Sequence, residues 1–221
     1  MTAAVVLLRD AASMPAGASI RTMYEHWSDE SLVERWRDTH DEAAFRTLYM
    51  RHKTGMYRYL LRGVRTPEHA QDILQNAWSR LCDAIERGKY TARENASFKT
   101  FAFTLANNCR ADFYRRDRLK LVQASADPED DDAVPLYERA PDPGPQPDQS
   151  LERDQLLRAY ARALAALPDT QREAFLLQED GGLGIKEIAE VMGVPFETAK
   201  SYLRYARDKL RSQLQEWHEQ H

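Results

Sequence analysis

Five basic side chains stand close together between residues 199 and 211: Lys200, Arg204, Arg207, Lys209 and Arg211, against the single acid Asp208. Phe196, Glu197, Thr198 and Ser201 lie beside them. The apolar residues of the stretch, Ala199, Leu203, Ala206, Leu210 and Leu214, recur at helical spacing, which leaves the polar set mostly facing outward. This is equipment for holding nucleic acid. Glu197 can accept from a cytosine amino group and Arg204 can pair with a guanine edge. Lys200 and Arg207 are better placed, by charge and spacing, for phosphates. The competing reading is a helical hairpin with an ordinary solvated face.

A second group precedes it. Lys89 to Ala96 has no periodicity and reads as a loop, in which Arg93, Glu94 and Asn95 are able to hydrogen-bond a base edge. The following stretch carries Lys99, Asn107, Asn108, Arg110, Tyr114 and Arg115 and ends in a run of bases. A basic helix with asparagines and aromatic rings can track phosphates and stack bases. Phe98, Phe101 and Phe113, at helical spacing, read instead as core, while Tyr114 falls off their stripe. Bond-making chemistry finds no such support. The six histidines are scattered, and no Ser/His/Asp set, paired carboxylates or glycine-rich phosphate loop stands in a workable context. Cys82 and Cys109 sit in apolar helical patterns with no His or Cys at ligand spacing, so both read as buried free thiols. No cofactor and no metal is expected.

The elements that must position these residues are helices throughout. Ile185, Ile188, Ala189 and Met192 share one face of a short helix, Gly193 can take the positive φ that ends it, and Pro195 suits the first turn of the next. Helix, tight turn and helix, with a basic outer face on the second, can lie in a DNA major groove. Upstream, Ser28 and Asp41 read as N-caps, Thr66-Pro67 opens a helix stopped by Gly88, and Ser97 caps the helix of the second polar group. On the Pro67 helix, Ala70, Ile73, Leu74, Ala77, Leu81 and Ile85 line one side, and Asp72, Gln75, Asn76 and Ser79 lie on the other. Leu156, Leu157, Tyr160, Leu164 and Leu167 mark one further helix, and Ala174 and Phe175 another. No strand pattern and no internal repeat is present.

Charge and proline divide the chain. The net charge is −4, yet residues 127 to 148 alone hold eight acids and one base, a balance of −7, which leaves +3 for the rest. Residues 121 to 150 also hold six prolines. Such a segment is too polar to bury a core and is extended by like charge. The expected layout is all-α: a flexible extension over 1–27, a helical domain over 28–120, an acidic Pro-rich linker over 121–149, and a helix-turn-helix domain over 150–221. No apolar run is long enough to span a bilayer, and Val5-Val6-Leu7-Leu8 is too short for a signal-peptide core, so no membrane insertion and a cytoplasmic location are expected.

Several stretches in each domain carry a family resemblance. The first domain has Asp41-Glu42-Ala43-Ala44-Phe45-Arg46-Thr47-Leu48-Tyr49, then Ala70-Gln71-Asp72-Ile73-Leu74-Gln75, then Ala106-Asn107-Asn108-Cys109-Arg110-Ala111-Asp112-Phe113-Tyr114-Arg115-Arg116. The second has Leu167-Pro168-Asp169-Thr170-Gln171-Arg172-Glu173-Ala174-Phe175, then Glu187-Ile188-Ala189-Glu190-Val191-Met192-Gly193-Val194-Pro195, then Thr198-Ala199-Lys200-Ser201 and Ala206-Arg207-Asp208-Lys209-Leu210. These resemble regions 2 and 4 of extracytoplasmic-function (ECF) sigma factors, in that order across a linker. The resemblance covers roughly residues 28 to 120 and 150 to 215. It departs from the family pattern at Tyr202 and Tyr205, where basic residues are usual, at Gly184, where a serine is usual, and at Asn107, where an arginine is usual.

The resemblance implies a transcription initiation factor without catalytic chemistry. Asp72, Gln75, Asn76 and Ser79 would dock on core RNA polymerase, whose β and β′ subunits are the expected partners. Arg93, Glu94, Asn95, Lys99, Asn107, Asn108, Arg110, Tyr114 and Arg115 would capture and melt the −10 element of promoter DNA. Phe196, Glu197, Thr198, Lys200, Ser201, Arg204 and Arg207 would read the −35 element. The linker would thread toward the RNA exit path, and an anti-sigma factor or other regulatory protein is the further partner implied. Two other readings compete: a stand-alone helix-turn-helix regulator binding operators as a dimer, and a degenerate sigma factor that only sequesters a partner. The first domain, which offers neither a ligand pocket nor a dimer helix, argues against the regulator.

Overall fold

The computed structural model describes residues 24–64, 66–90, 97–124 and 147–220, with side chains outside 117–124, 147–154 and 216–220. Among the described residues there are helices and no strands: α1 (Asp29–Thr39), α2 (Glu42–Leu61), α3 (Pro67–Glu86), α4 (Phe98–Ala124), α5 (Pro147–Ala165), α6 (Asp169–Glu179), α7 (Ile185–Met192) and α8 (Phe196–Gln220). None is long and apolar enough to cross a membrane.

The starts of the first four helices are set by side chains that satisfy orphan N–H groups, each worth about 1 kcal/mol. Ser28 Oγ accepts from Ser31 N–H at 3.2 Å, and Asp41 Oδ1 from Ala43 and Ala44 at 3.0 and 3.3 Å. Thr66 Oγ1 accepts from His69 N–H at 3.3 Å, and Ser97 Oγ from Thr100 N–H at 3.1 Å. Beyond α3, Gly88 takes φ 64°, the left-handed conformation in which a β-carbon is strained.

The first unit, α1 to α4, closes over an aromatic centre. Trp36 meets Phe45 at 5.0 Å between ring centroids, and Trp78 stands edge-on to Tyr49 at 5.0 Å and to Phe45 at 6.0 Å. Tyr24 is buried against this core, and its hydroxyl donates to Asp41 Oδ2 at 2.6 Å. The expected extension over 1–27 thus has its last residues, 24 to 27, folded onto the domain as a turn; the rest of it lies outside the described residues. Residues 125–146, most of the expected linker, also lie outside them, while α4 reaches Ala124 and α5 already begins at Pro147.

Phe98, Ala102, Ala106 and Cys109 line the buried face of α4, as their spacing predicts. Phe103 is equally buried but lies off that stripe. It faces the second unit: the ring edge lies 3.0 Å from where a β-carbon on Gly181 would stand. In the second unit, Leu164, Leu167, Leu176, Leu177, Ile188, Leu203 and Leu210 are buried, and the core of the two units is continuous. Helix α4 packs directly on α7. The two helical domains expected from sequence are both present, and they touch.

Candidate nucleic-acid interface

Helices α7 and α8 form the helix-turn-helix. Gly184 offers no capping side chain, so the first turn of α7 is closed from inside: Glu187 Oε2 accepts from Gly184 N–H at 2.8 Å. Gly193, at φ 65°, ends α7, and Val194 N–H returns to the Ala189 carbonyl at 3.0 Å. Ala189 and Ala199 are both buried at the crossing, where small side chains let the two helices approach.

The outer row of α8 is accessible. Phe196, Glu197, Lys200, Arg204 and Arg207 are exposed, while Thr198 and Ser201 are half-buried. Lys200 Nζ leans to Glu197 Oε2 at 3.4 Å. The Arg204 guanidinium stacks over the Tyr205 ring, 4.8 Å from its centroid. Arg207 donates to Gln178 Oε1 on α6. These are solvent-screened contacts worth little, so the cations remain available to a phosphate or base. Tyr202, by contrast, is packed partly into the core, whereas Tyr205 is half exposed.

The residues expected to meet the −10 element divide into two sets. Asn108, Tyr114 and Arg115 face outward on α4; Arg115 pairs with Asp112, and the Tyr114 hydroxyl donates to the Gly63 carbonyl. Lys99, Asn107 and Arg110 turn toward the second unit. Arg110 Nη2 pairs with Glu173 Oε1 at 2.9 Å and donates to Asn107 Oδ1 at 2.9 Å. The Tyr59 hydroxyl lies 3.2 Å from both Asn107 Oδ1 and Glu173 Oε1. Lys99 Nζ donates to the Gly182 carbonyl. Arg93, Glu94 and Asn95 lie outside the described residues. On α3, Asp72 and Gln75 are exposed, Ser79 is half-buried, and Asn76 accepts a long contact from the Cys109 thiol at 3.8 Å.

Two further pairs complete the boundary. Arg62 Nε lies 2.8 Å from Asp180 Oδ2. Ser97 Oγ and Thr100 Oγ1 donate to Glu187 Oε1 at 2.7 and 3.1 Å. Burial pushes the Asp180 carboxyl above its ordinary range, although Arg62 pulls the other way. Burial also acts to raise Glu187, but the Gly184 N–H, Ser97, Thr100 and Lys99 together hold it below the usual value. Tyr59, fully enclosed, has its hydroxyl raised by burial.

Arg62, Tyr59, Phe103, Glu173, Asp180 and Glu187 were not expected from local sequence pattern to form a site, since their partners lie across the linker. One sequence signal did exist. Gly55 sits in the interior of α2, where glycine costs about 1 kcal/mol relative to alanine, and a β-carbon there would stand 2.7 Å from the Asp180 carbonyl oxygen.

Comparison with known proteins agrees with this architecture. Residues 48–119 match the family model "Sigma-70 region 2" and residues 157–210 match "Sigma-70, region 4". The ECF RNA polymerase sigma factor RpoE of Cereibacter sphaeroides is 30% identical over 188 residues, which span 83% of this chain and 93% of that protein. The ECF RNA polymerase sigma-E factor of Escherichia coli K12 is 25% identical, over 87% of this chain and 97% of its own length. Among solved structures, CnrH in complex with the cytosolic domain of CnrY is similar at TM-score 0.56 and 18% identity, over 85% of this chain and 97% of that one. RpoE of Bartonella quintana, solved with the anti-sigma factor NepR, is similar at TM-score 0.54 and 21% identity, over 77% and 96%. At these identities the solved structures speak for the fold.

Proposed function

Since this chain belongs to the sigma-70 family, as an ECF sigma factor for transcription initiation, we propose that it is a promoter-specificity subunit that binds core RNA polymerase and reads both promoter elements. The observation that carries the reading is the exposed row Phe196, Glu197, Lys200, Arg204 and Arg207 on the second helix of a helix-turn-helix, in one chain with a region 2 unit. Arg204 reads a base edge in the −35 element, and Lys200 and Arg207 hold phosphates. Asn108, Tyr114 and Arg115, with Arg93, Glu94 and Asn95, engage the −10 element, where an extruded base must repay a few kcal/mol of unstacking. Asp72, Gln75, Asn76 and Ser79 contact the polymerase. One of the similar solved structures is a complex with an anti-sigma factor, so an anti-sigma factor is the regulatory partner proposed here.

Run-off transcription on genomic fragments with core polymerase and this chain tests the reading, with permanganate footprinting of the start site. Thymines near −10 become reactive with the intact protein and stay protected when Arg93, Glu94 and Asn95 are all alanine. Equal reactivity in both would refute the melting role. Absence of any chain-dependent transcript with core polymerase would refute the reading as a whole.

A further inference from the structure

The boundary between the units joins three cations of the first to acceptors of the second. Arg62 meets Asp180, Arg110 meets Glu173, and Lys99 meets the Gly182 carbonyl. All three acceptors lie on α6 or within the turn that follows it. Two of the cations are close to each other in the fold: Arg62 is next to Gly63, and a β-carbon on Gly63 would come within 2.8 Å of Arg110 Nη1, while Lys99 lies about three helical turns before Arg110 on the same side of α4. Arg110 therefore runs over the chain immediately after Arg62. An arginine pair with a lysine about three turns away along the same face of α4, all matched to oxygen acceptors, has the chemistry of a phosphate-binding strip.

Gly55 explains how the second unit comes so near. An alanine there would stabilise an isolated helix, yet its β-carbon would stand 2.7 Å from a backbone oxygen that has no rotamer to escape by. The close seat of Asp180 on α2 exists only because residue 55 is glycine. Geometry also says that the seat must be left. Elements named −10 and −35 lie roughly 25 base pairs apart, about 85 Å of duplex at 3.4 Å per pair. Units in direct contact do not reach both.

We propose that Arg62, Arg110 and Lys99 form one strip that binds the nucleic-acid backbone, and that Glu173, Asp180 and the Gly182 carbonyl occupy it when the second unit is seated through Gly55. DNA and the second unit then compete for the same cations. Arg62 becomes a DNA contact that the family resemblance did not supply. The proposal rests on the DNA-binding reading above and adds the site's competitor.

The test uses the full chain, a fluorescein-labelled duplex of arbitrary sequence and anisotropy across a salt series, with small-angle scattering to report opening. Gly55→Ala removes no charge. It should expand the protein and tighten binding by about fivefold or more. The salt slope should steepen by roughly 2 to 3, at about 0.9 per phosphate contact. Adding Arg62→Ala to Gly55→Ala should return about 0.9 of that slope. An expanded Gly55→Ala protein with unchanged affinity and slope overturns the competition, and an Arg62→Ala addition that leaves the slope intact overturns the strip. Should Gly55→Ala stay compact or fail to fold, Glu173→Gln with Asp180→Asn must give the same gain, and no gain there also overturns the proposal. If the wild-type chain binds duplex through α8 while opening changes nothing, the competition alone fails. If no variant binds DNA even at low salt, the DNA-binding reading fails with it.

Discussion

The Ser97 hydroxyl donates to Glu187 at 2.7 Å, tying the N-cap of α4 to the first turn of α7. The other oxygen of the same carboxylate caps Gly184. One side chain therefore closes the helix-turn-helix and joins it to the helix that carries the −10 candidates. Glu187→Ala should lower the stability of the full chain by roughly 1–2 kcal/mol, the sum of a lost cap and a lost boundary contact. Glu187→Gln, which keeps an acceptor for Gly184, should lose less. The Glu187 carboxyl sits below its ordinary 4.5 in the folded chain, so its contribution is present above that pH and fades as pH falls through the lowered value. Urea titrations at pH 7 and pH 4 measure both effects. Equal midpoints for wild type and Glu187→Ala at pH 7 would remove this role.

Asp29 makes a second acid-sensitive contact. It opens α1, lies 2.6 Å from His52 Nε2 and pairs with Arg51, which also donates to the Trp27 carbonyl at 3.1 Å. Burial acts to raise the Asp29 carboxyl, but His52 and Arg51 hold it below the ordinary 3.8. A depressed carboxylate stabilises the fold above its unfolded value and loses that as pH falls through the folded one. Asp29→Asn should cost about 1–3 kcal/mol at pH 7 and flatten the acid limb of a melting-temperature profile below pH 4. A variant whose melting temperature tracks wild type from pH 7 to pH 3 would show the pair to be idle.

Periodicity and caps made most of the first unit readable. Ser28, Asp41 and Ser97 cap the helices expected of them, and the stripes of α3 and α4 are buried where spacing puts them. The basic row of α8 was readable for the same reason: Ala199, Leu203, Ala206 and Leu210 are all buried, which sends Lys200, Arg204 and Arg207 outward. Leu156 and Leu157 mark their helix but remain exposed, because helical spacing fixes a face and not its partner. The boundary was not readable. Phe103, Arg110 and Lys99 look solvated or merely apolar along α4 until the second unit is set against them, and no local rule couples residues across a linker. Gly55, costly in a helix interior, was the one local sign that another backbone comes close.

The polar side of α3 offers a contact that can be removed without disturbing the core. Asp72 and Gln75 are exposed, while Ile73, Ala77 and Trp78 of the same helix are buried. Asp72→Arg and Gln75→Ala should each leave the circular dichroism unchanged and the stability within about 0.5 kcal/mol of wild type, as surface substitutions do. If this face docks on core polymerase, both should weaken that complex, Asp72→Arg more because it reverses a charge. Co-elution and titration with core enzyme measure it. Unchanged affinity for both variants would move the polymerase contact elsewhere on the chain.

The sharpest separation of roles is on α8. Arg204 is exposed and its guanidinium is stacked on Tyr205 at 4.8 Å, an arrangement that holds the planar donor fork in one orientation. Lys200 is a flexible point charge that leans on Glu197 at 3.4 Å. On a mapped promoter, Arg204→Ala should cost roughly 1–3 kcal/mol and relax the preference at one −35 position. Lys200→Ala should weaken all sequences about equally and reduce the salt slope by about 0.9. Tyr205→Ala should resemble a mild Arg204→Ala, since it frees the guanidinium without removing it, and Tyr205→Phe should restore wild-type preference because the ring is what stacks. Tyr202, packed partly into the core, should instead lose stability when truncated. Competition binding against every single-base variant of the −35 element, at two salt concentrations, distinguishes all four. If Arg204→Ala leaves the base preference intact, α8 does not read the element through this residue, and its basic row serves only to hold the backbone.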